Sequence, residues 1–105
     1  MQFRVQSFET VTSTNDLIKR AIEVGEPEGL AVRGLRQTAG YGRQGRAWES
    51  PIGGMYQSFL LRPSVPPAQL PTLSLLVGLA VRRAITSLVP ELDGRVQVKW
   101  PNDIV

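Results

Sequence analysis

The stretch Arg36–Pro51, RQTAGYGRQGRAWESP, sets how the rest of the chain must be arranged. Gly40, Gly42 and Gly45 place three glycines in six positions, interleaved with Tyr41, Arg43 and Gln44 and followed by Arg46 and Trp48. Glycine adopts φ > 0 at little steric cost, so this density argues against a regular helix or strand and predicts a curled loop. Such a loop can aim several N–H groups at one point and form a concave anion site. No acidic residue occurs from Leu30 to Trp48, whereas Arg33, Arg36, Arg43 and Arg46 all lie there. Arginine's planar fork grips phosphate or carboxylate through paired hydrogen bonds. The segment reads as a mobile cationic loop built to close over an anionic small molecule or a phosphate backbone.

On either side of the loop the pattern is that of strands. Leu30 to Arg36 leads in, and the run Met55–Arg62 leads out, with Met55, Gln57 and Phe59 on one side and Tyr56, Ser58 and Leu60 on the other. Apolar residues on both sides predict a strand covered on both faces. Because a strand and not a helix follows the glycines, the loop is not a dinucleotide fingerprint in its proper context. It lacks the Gly-Lys-Ser/Thr that would make it a P-loop.

Upstream, Phe3, Val5 and Ser7 alternate as a short strand. Leu17, Ile18, Ala21 and Ile22 then form one apolar helical stripe, with Ser13 or Thr14 as N-cap, Asp16 close to a capping box and Gly25 as the stop. Downstream, Pro63, Pro66, Pro67 and Pro71 mark an irregular connection. Leu73, Leu76, Val77, Ala80, Ala84 and Leu88 keep a helical period, with Arg82 and Arg83 on its far side or end and Pro90 and Gly94 ending it. Val96 and Val98 alternate into a last strand that runs into Lys99-Trp100-Pro101-Asn102-Asp103. This order predicts an α/β (α+β) domain with a mixed β-sheet packed with helices. The chain stops at Asp103-Ile104-Val105, where a new strand would begin, so an unpaired strand or an exposed apolar tail is expected there. A fragment or a truncated member of something larger is the corresponding expectation.

Composition narrows the chemistry. At 105 residues there is room for one domain, and 42% hydrophobic with 20% charged residues places it among globular proteins and not disordered ones. The net charge of +3 is too small to argue for nucleic acid by itself, but ten of the twelve cations are arginine, which favours bidentate anion recognition. There is no cysteine and no histidine. That removes disulfides, thiolate or imidazole metal sites, the Ser-His-Asp arrangement and the usual proton shuttle. Chemistry must rest on arginine, lysine, carboxylates, amides, hydroxyls, backbone and an exogenous ion. No signal-peptide pattern or membrane-length apolar run is present, so the cytoplasm is the expected compartment.

Each candidate segment has a plain structural reading beside the functional one. The glycine-arginine loop could be a solvated connection, a loop tracking RNA or DNA phosphates, or a nucleotide or carboxylate site in an enzyme; only Tyr41 and Trp48 could stack bases. Thr12-Ser13-Thr14-Asn15-Asp16 is explained in part as a helix cap. Capping needs one of these side chains, however, and leaves others free to meet a carboxylate or a urea-like carbonyl at the helix start. Lys99 to Asp103 is a strand end with a Pro-Asn-Asp turn, yet Lys99 and Trp100 sit where ligands collect in α/β sheets. Gln37 is either a loop amide or a donor and acceptor pair aimed at a polar ligand.

Taken together, three motifs resemble the catalytic domain of biotin protein ligases. They are Ser13-Thr14-Asn15 at a helix start, Gln37 through Trp48 as a Gln-x-x-Gly-Arg-Gly-Arg-x-Gly-Arg-x-Trp-like loop, and Lys99-Trp100-Pro101-Asn102-Asp103 at a strand end. The resemblance runs from about Val11 to Val105 and implies a class II synthetase-like biotin/lipoate ligase fold, of which residues 1–105 would be a partial catalytic domain. It implies ATP, biotin and Mg²⁺ as ligands, a biotinyl-5'-adenylate intermediate and the lysine of a biotin carboxyl carrier domain as acceptor. By the same resemblance, Ser13, Thr14, Asn15, Gln37, Gly40, Tyr41, Gly42 and Arg43 contact biotin. Arg43, Gly45, Arg46, Trp48, Lys99, Asn102 and Asp103 serve the adenylate or ATP, Arg43 and Lys99 are the catalytic pair, and Mg²⁺ lies near Asp103.

Tyr41 departs from the family pattern, standing where an arginine is usual, and a weaker grip on the ligand is expected. The family continues with a lysine-bearing strand and a small C-terminal domain, so catalysis by these 105 residues alone is not expected. No helix-turn-helix pattern precedes the motifs, so DNA is not an expected partner, nor is a membrane; a homodimer is compatible with the sequence. The rival readings are a lipoate-attaching relative and a non-enzymatic biotin-binding or regulatory module.

Overall fold

The computed structural model describes residues 1–99 and 103–105; Trp100, Pro101 and Asn102 lie outside the described residues, as does the side chain of Arg43. The chain divides into two compact units, Met1–Pro63 and Ser64–Val105.

In the first unit the sheet is mixed, as the order of elements predicts. Strand β1 (Arg4–Val11) runs parallel to β2 (Leu30–Gln37), with helix α1 (Thr14–Glu23) as the connection, and β3 (Tyr56–Phe59) pairs antiparallel to β2. The register matches Arg4 with Leu30 and Val11 with Gln37, then Gly34 with Tyr56 and Ala31 with Phe59. Strand β2 is central because Leu30, Ala31 and Val32 are its apolar run, and all three are buried. Strand β1 spans eight residues and runs four past Ser7, where the alternation at Phe3, Val5 and Ser7 ends. Its polar second half is held by the ladder to β2, a partner that local periodicity does not see.

Helix α1 covers one face of this sheet. Ile18, Ala21, Leu30, Val32 and Leu60 make the core, with Leu17 packed at its edge. The buried stripe is centred on Thr14, Ile18 and Ala21, which leaves Ile22 46% exposed on the flank. Ser13 is the N-cap, its Oγ accepting from the Asp16 N–H at 3.4 Å, and the Asp16 carboxylate complements the helix dipole. The helix stops at Val24, and Gly25 follows at φ +80° with open space around its Cβ position. Gly25→Ala should therefore cost about 1–2 kcal/mol through left-handed strain alone, read as a fall in the urea midpoint with an unchanged slope.

The expectation that β3 is covered on both faces is not met: Tyr56, Gln57 and Ser58 are half-buried and Phe59 is 47% exposed. Only the face carrying Ser58 turns to α1, and Leu60, just beyond the strand, is fully buried beneath it. On the other face Phe59 meets Phe3 edge-on, with ring centroids 5.6 Å apart.

The second unit begins with a 3₁₀ turn at Pro67–Gln69 that leads into α2 (Leu70–Leu88), where Pro71 occupies a first-turn position that needs no N–H partner. Gly78 lies 3.3 Å, by its Cβ position, from a methyl of Val98, so helix and strand approach closely there. Arg82 does not lie on the far side of the helix. Its Nε donates to the Val96 carbonyl at 2.7 Å and its Nη2 to Asp93 at 3.3 Å, because the chain after Pro90 folds back along α2 and offers free carbonyls. Strand β4 (Val98–Lys99) pairs antiparallel with β5 (Asp103–Ile104), and Gln97 and Val105 exchange two hydrogen bonds of 2.8 Å. Asp103 and Ile104 therefore have a partner, contrary to the expected unpaired strand, although Val105 is 65% exposed.

Candidate functional site

Parallel pairing of β1 and β2 brings their two ends together. The ladder continues past both strands, Thr38 N donating to the Val11 carbonyl at 2.9 Å and Ala39 N to Thr12 at 2.8 Å. The first turn of α1 and the start of the glycine loop are thus side by side.

Gln37 ties them. Its Oε1 accepts from the Thr14 backbone N–H at 2.8 Å and faces the Thr14 hydroxyl at 3.2 Å. Its Nε2 donates to Ser50 Oγ at 3.0 Å, and Ser50 in turn donates to the Trp48 carbonyl at 3.1 Å. From the other side, Thr14 Oγ1 lies 2.8 Å from Ser58 Oγ, which reaches Asn15 Oδ1. Ser13, Thr14 and Ser50 are buried, and among the described residues every buried side-chain polar atom has a partner. Thr14 and Ser58 own one hydroxyl hydrogen each, yet share three contacts: to Gln37, to each other and to Asn15. When Ser58 donates to Asn15 and Thr14 to Ser58, Gln37 Oε1 keeps the Thr14 backbone N–H and holds a free lone pair. The cluster can therefore both donate and accept, as recognition of a urea-like or amide-like ring requires.

The glycine-arginine segment is a narrow hairpin and not an open loop. Gln37 bridges Ser50, Trp48 N donates to the Gly40 carbonyl at 2.9 Å, Tyr41 bridges Ala47, and Gly42 N donates to Arg46 at 2.7 Å. A 3₁₀ turn at Arg43–Gly45 closes the tip, where Gln44 (φ 63°) and Gly45 (φ 73°) are both left-handed. Gly40 is buried, and a Cβ there would sit 2.5 Å from Ser50 Oγ and 2.8 Å from both Gln37 Nε2 and the Trp48 carbonyl. Between Arg36–Gly40 and Ala47–Pro51 runs an open groove of about 770 Å³, which suits a drug-sized ligand.

Tyr41 reaches back to α1. Its hydroxyl donates to Asp16 Oδ1 at 3.0 Å, and Lys19 Nζ lies 5.1 Å from the ring centroid. The Lys19 ammonium is held above its ordinary value of 10.5, mainly by the Tyr41 hydroxyl, against some desolvation and with the Asp16 charge adding least. A raised lysine contributes stability that is complete below the ordinary value and is lost as pH rises through the higher one.

Ser13, Thr14, Asn15, Gln37 and the Gly40–Gly42 segment thus lie together around the start of α1. Arg46 and Trp48 are exposed, Trp48 at 62%, with their backbones in the hairpin. Lys99 and Asp103 face one another across the β4–β5 pair of the second unit, while the expected role of Asn102 and the reach of the Arg43 side chain lie outside the described residues. Two members escaped the reading of the sequence, Ser50 and Ser58. For Ser58 a signal existed, since alternation placed it on the same side as Leu60, where a hydroxyl needs a partner.

A family profile described as the Biotin/lipoate A/B protein ligase family matches residues 7–105. The chain belongs to that family. The bifunctional ligase/repressor BirA of Bacillus spizizenii is 36% identical over 98 residues, covering 92% of this chain and 29% of that protein. Among solved structures, the Leishmania major biotin protein ligase in complex with biotinyl-5-AMP superimposes with a TM-score of 0.82 at 32% identity, over 97% of this chain and 47% of that one. The Aquifex aeolicus biotin protein ligase in complex with biotin and ATP gives 0.77 at 37% identity, over 96% and 40%. The chain thus spans less than half the length of these biotin/lipoate ligase relatives, and the sequence expectation of this fold is borne out.

Among the described residues no group of three or more acidic or imidazole side chains is gathered that could hold a metal ion, and no helix is long and apolar enough to cross a membrane. Asp103 is an exposed carboxylate that belongs to no such group and does not by itself fit a protein-held Mg²⁺ site, which needs more oxygen ligands.

Proposed function

We propose that this chain supplies the biotin- and ATP-binding part of a biotin protein ligase, acting in the cytoplasm. The observation that carries the reading is the Thr14–Gln37–Ser58–Asn15 hydrogen-bond cluster beside the glycine-arginine hairpin. That cluster would hold the ureido ring of biotin, with Ser13 fixing the helix start and Gly40, Tyr41, Gly42 and Arg43 lining the acyl chain. Arg43, Gly45, Arg46 and Trp48 would serve the adenylate, and Lys99, Asn102 and Asp103 the phosphates. Relatives that are named biotin–protein ligases favour biotin over lipoate.

In the first step a biotin carboxylate oxygen bonds to the α-phosphorus of ATP and pyrophosphate departs. In the second, the ε-amine of a carrier-domain lysine attacks the acyl carbon, AMP leaves, and the amine loses its proton as the amide forms. Bringing a carboxylate against a triphosphate sets like charges together, so fixed cations must offset the repulsion; Arg43 and Lys99 are the proposed pair. Any Mg²⁺ would arrive with the nucleotide phosphates, Asp103 being an outer support. The mixed anhydride hydrolyses readily, which is the reason for covering it with a hairpin.

Calorimetric titration of the protein with biotin, with lipoate and with each plus ATP tests this reading, alongside pyrophosphate release. Biotin should bind, ATP should tighten it, and lipoate should not compete. Tighter binding of lipoate would move the chain to the other branch of the family, and biotin binding with no pyrophosphate release would make it a binding module. Gln37→Ala should weaken biotin roughly tenfold to a hundredfold, since it deprives the Thr14 N–H and Ser50 of partners as well as the ligand of an amide. An affinity within twofold of the parent would remove Gln37 from the site.

A further inference from the structure

Tyr41 spends its polar group inside the chain. Its O–H goes to the Asp16 carboxylate at 3.0 Å and its ring lies under the Lys19 ammonium at 5.1 Å. Asp16 and Lys19 are three residues apart on α1, so they share a face, and one phenol spans both. A hydrogen bond to a carboxylate is stronger than a neutral one, and an ammonium over an aromatic face adds to it. Asp16 is also bonded through its N–H to the cap residue Ser13, next to Thr14. At the other end, Tyr41 is bridged to Ala47 and flanked by the Trp48–Gly40 and Gly42–Arg46 bonds, so whatever holds Tyr41 holds both arms of the hairpin.

We propose that Tyr41 is a positioning residue, a latch that fixes the glycine-arginine hairpin against the first turns of α1 through Asp16 and Lys19. The bonds of this latch all come from the chain's own groups, so the hairpin and the Thr14–Gln37 cluster form one prearranged receptor. Binding a ligand then costs less ordering of the hairpin. That consequence rests on the proposed biotin role of the site, whereas the latch itself is tested without ligand.

Limited trypsin digestion of the intact protein, read by mass spectrometry, reports the hairpin at Arg46–Ala47 and α1 at Arg20–Ala21. Tyr41→Phe keeps the ring over Lys19 and removes the hydroxyl; Asp16→Ala removes its acceptor. Each should speed cleavage at Arg46–Ala47 roughly fivefold to tenfold, with cleavage at Arg20–Ala21 unchanged in Tyr41→Phe and the double variant no faster at Arg46–Ala47 than the singles. Parental rates at Arg46–Ala47, or a parallel rise at both bonds in Tyr41→Phe, would overturn the latch. Biotin titration adds a second reading: Tyr41→Phe should weaken biotin in the parent but not in the Asp16→Ala background. Equal losses in both backgrounds would mean that the Tyr41 hydroxyl acts on the ligand directly and not through Asp16, and would end its positioning role. Failure of the parent to bind biotin would count against the proposed function and leave the digestion result to decide the latch.

Discussion

Gly40→Ala should weaken biotin by about a hundredfold or more, roughly 3 kcal/mol, while leaving most of the protein's stability intact. The added methyl would lie 2.5 Å from Ser50 Oγ and 2.8 Å from Gln37 Nε2 and the Trp48 carbonyl. One of these neighbours is the Gln37 amide itself, another is the Ser50 hydroxyl that aims it, and the third is backbone, which no rotamer change can move. Relief must come from parting the hairpin at its base, where the Trp48–Gly40 and Gln37–Ser50 bonds both sit. Once Gln37 turns away, the Thr14 N–H loses its acceptor and the donor and acceptor cluster no longer presents one face. Gly45→Ala is the contrasting case. Its Cβ meets nothing within 4 Å, so only left-handed strain of about 1–2 kcal/mol applies, spread over an exposed tip. Calorimetric titration of both variants separates close approach from backbone freedom. Unaltered biotin affinity in Gly40→Ala would detach the hairpin base from the site.

The second large effect is on the fold. Leu60→Ala should lower the unfolding free energy of the first unit by about 2–5 kcal/mol, the range for emptying a buried leucine site. Leu60 is fully buried among Ile18, Ala21, Leu30 and Val32, and it is held by the Leu60 N–Leu30 O and Gly29 N–Leu60 O bonds at 2.8 and 2.9 Å. Backbone bonds on both sides pin the residue, so the cavity cannot collapse by letting the strand move inward. In so small a core, where five side chains carry the packing, this is a large share of a domain's usual 5–15 kcal/mol. Urea unfolding followed by tryptophan-independent far-UV dichroism should show a lower midpoint with the same slope. A loss under 1 kcal/mol would mean that the packing of α1 on the sheet does not depend on this side chain.

Much of the architecture is local in origin and could be read before any coordinates. A cap at Ser13 or Thr14, Gly25 as stop, a strand over Leu30 to Arg36 and the glycine punctuation between Gly40 and Gly45 each follow from local backbone preference or hydrogen-bonding habit. The three motif segments pointed to a shared ligand through their resemblance to biotin protein ligases, since each taken alone also had a plain structural reading as a helix cap, a loop or a turn. Strand β1 was read too short and β3 too deeply buried, because the length of a strand is set by its neighbour and its cover by what packs on it. Arg82 was assigned to the wrong side of α2, since the carbonyls that attract it belong to a segment that folds back from beyond Pro90.

By itself, the sequence determined the elements, their order, the absence of histidine and cysteine chemistry, and a cationic turn between two strands of a mixed sheet. Tertiary structure alone decided which hydroxyls join the site and what Tyr41 does. Ser50 and Ser58 lie 13 and 44 residues from the groups they bond, and Asp16 lies 25 from Tyr41. The physical reason is range: backbone preference acts over a few neighbouring residues, whereas a hydrogen bond depends on a donor and an acceptor meeting within 3 Å or so, wherever the chain has carried them.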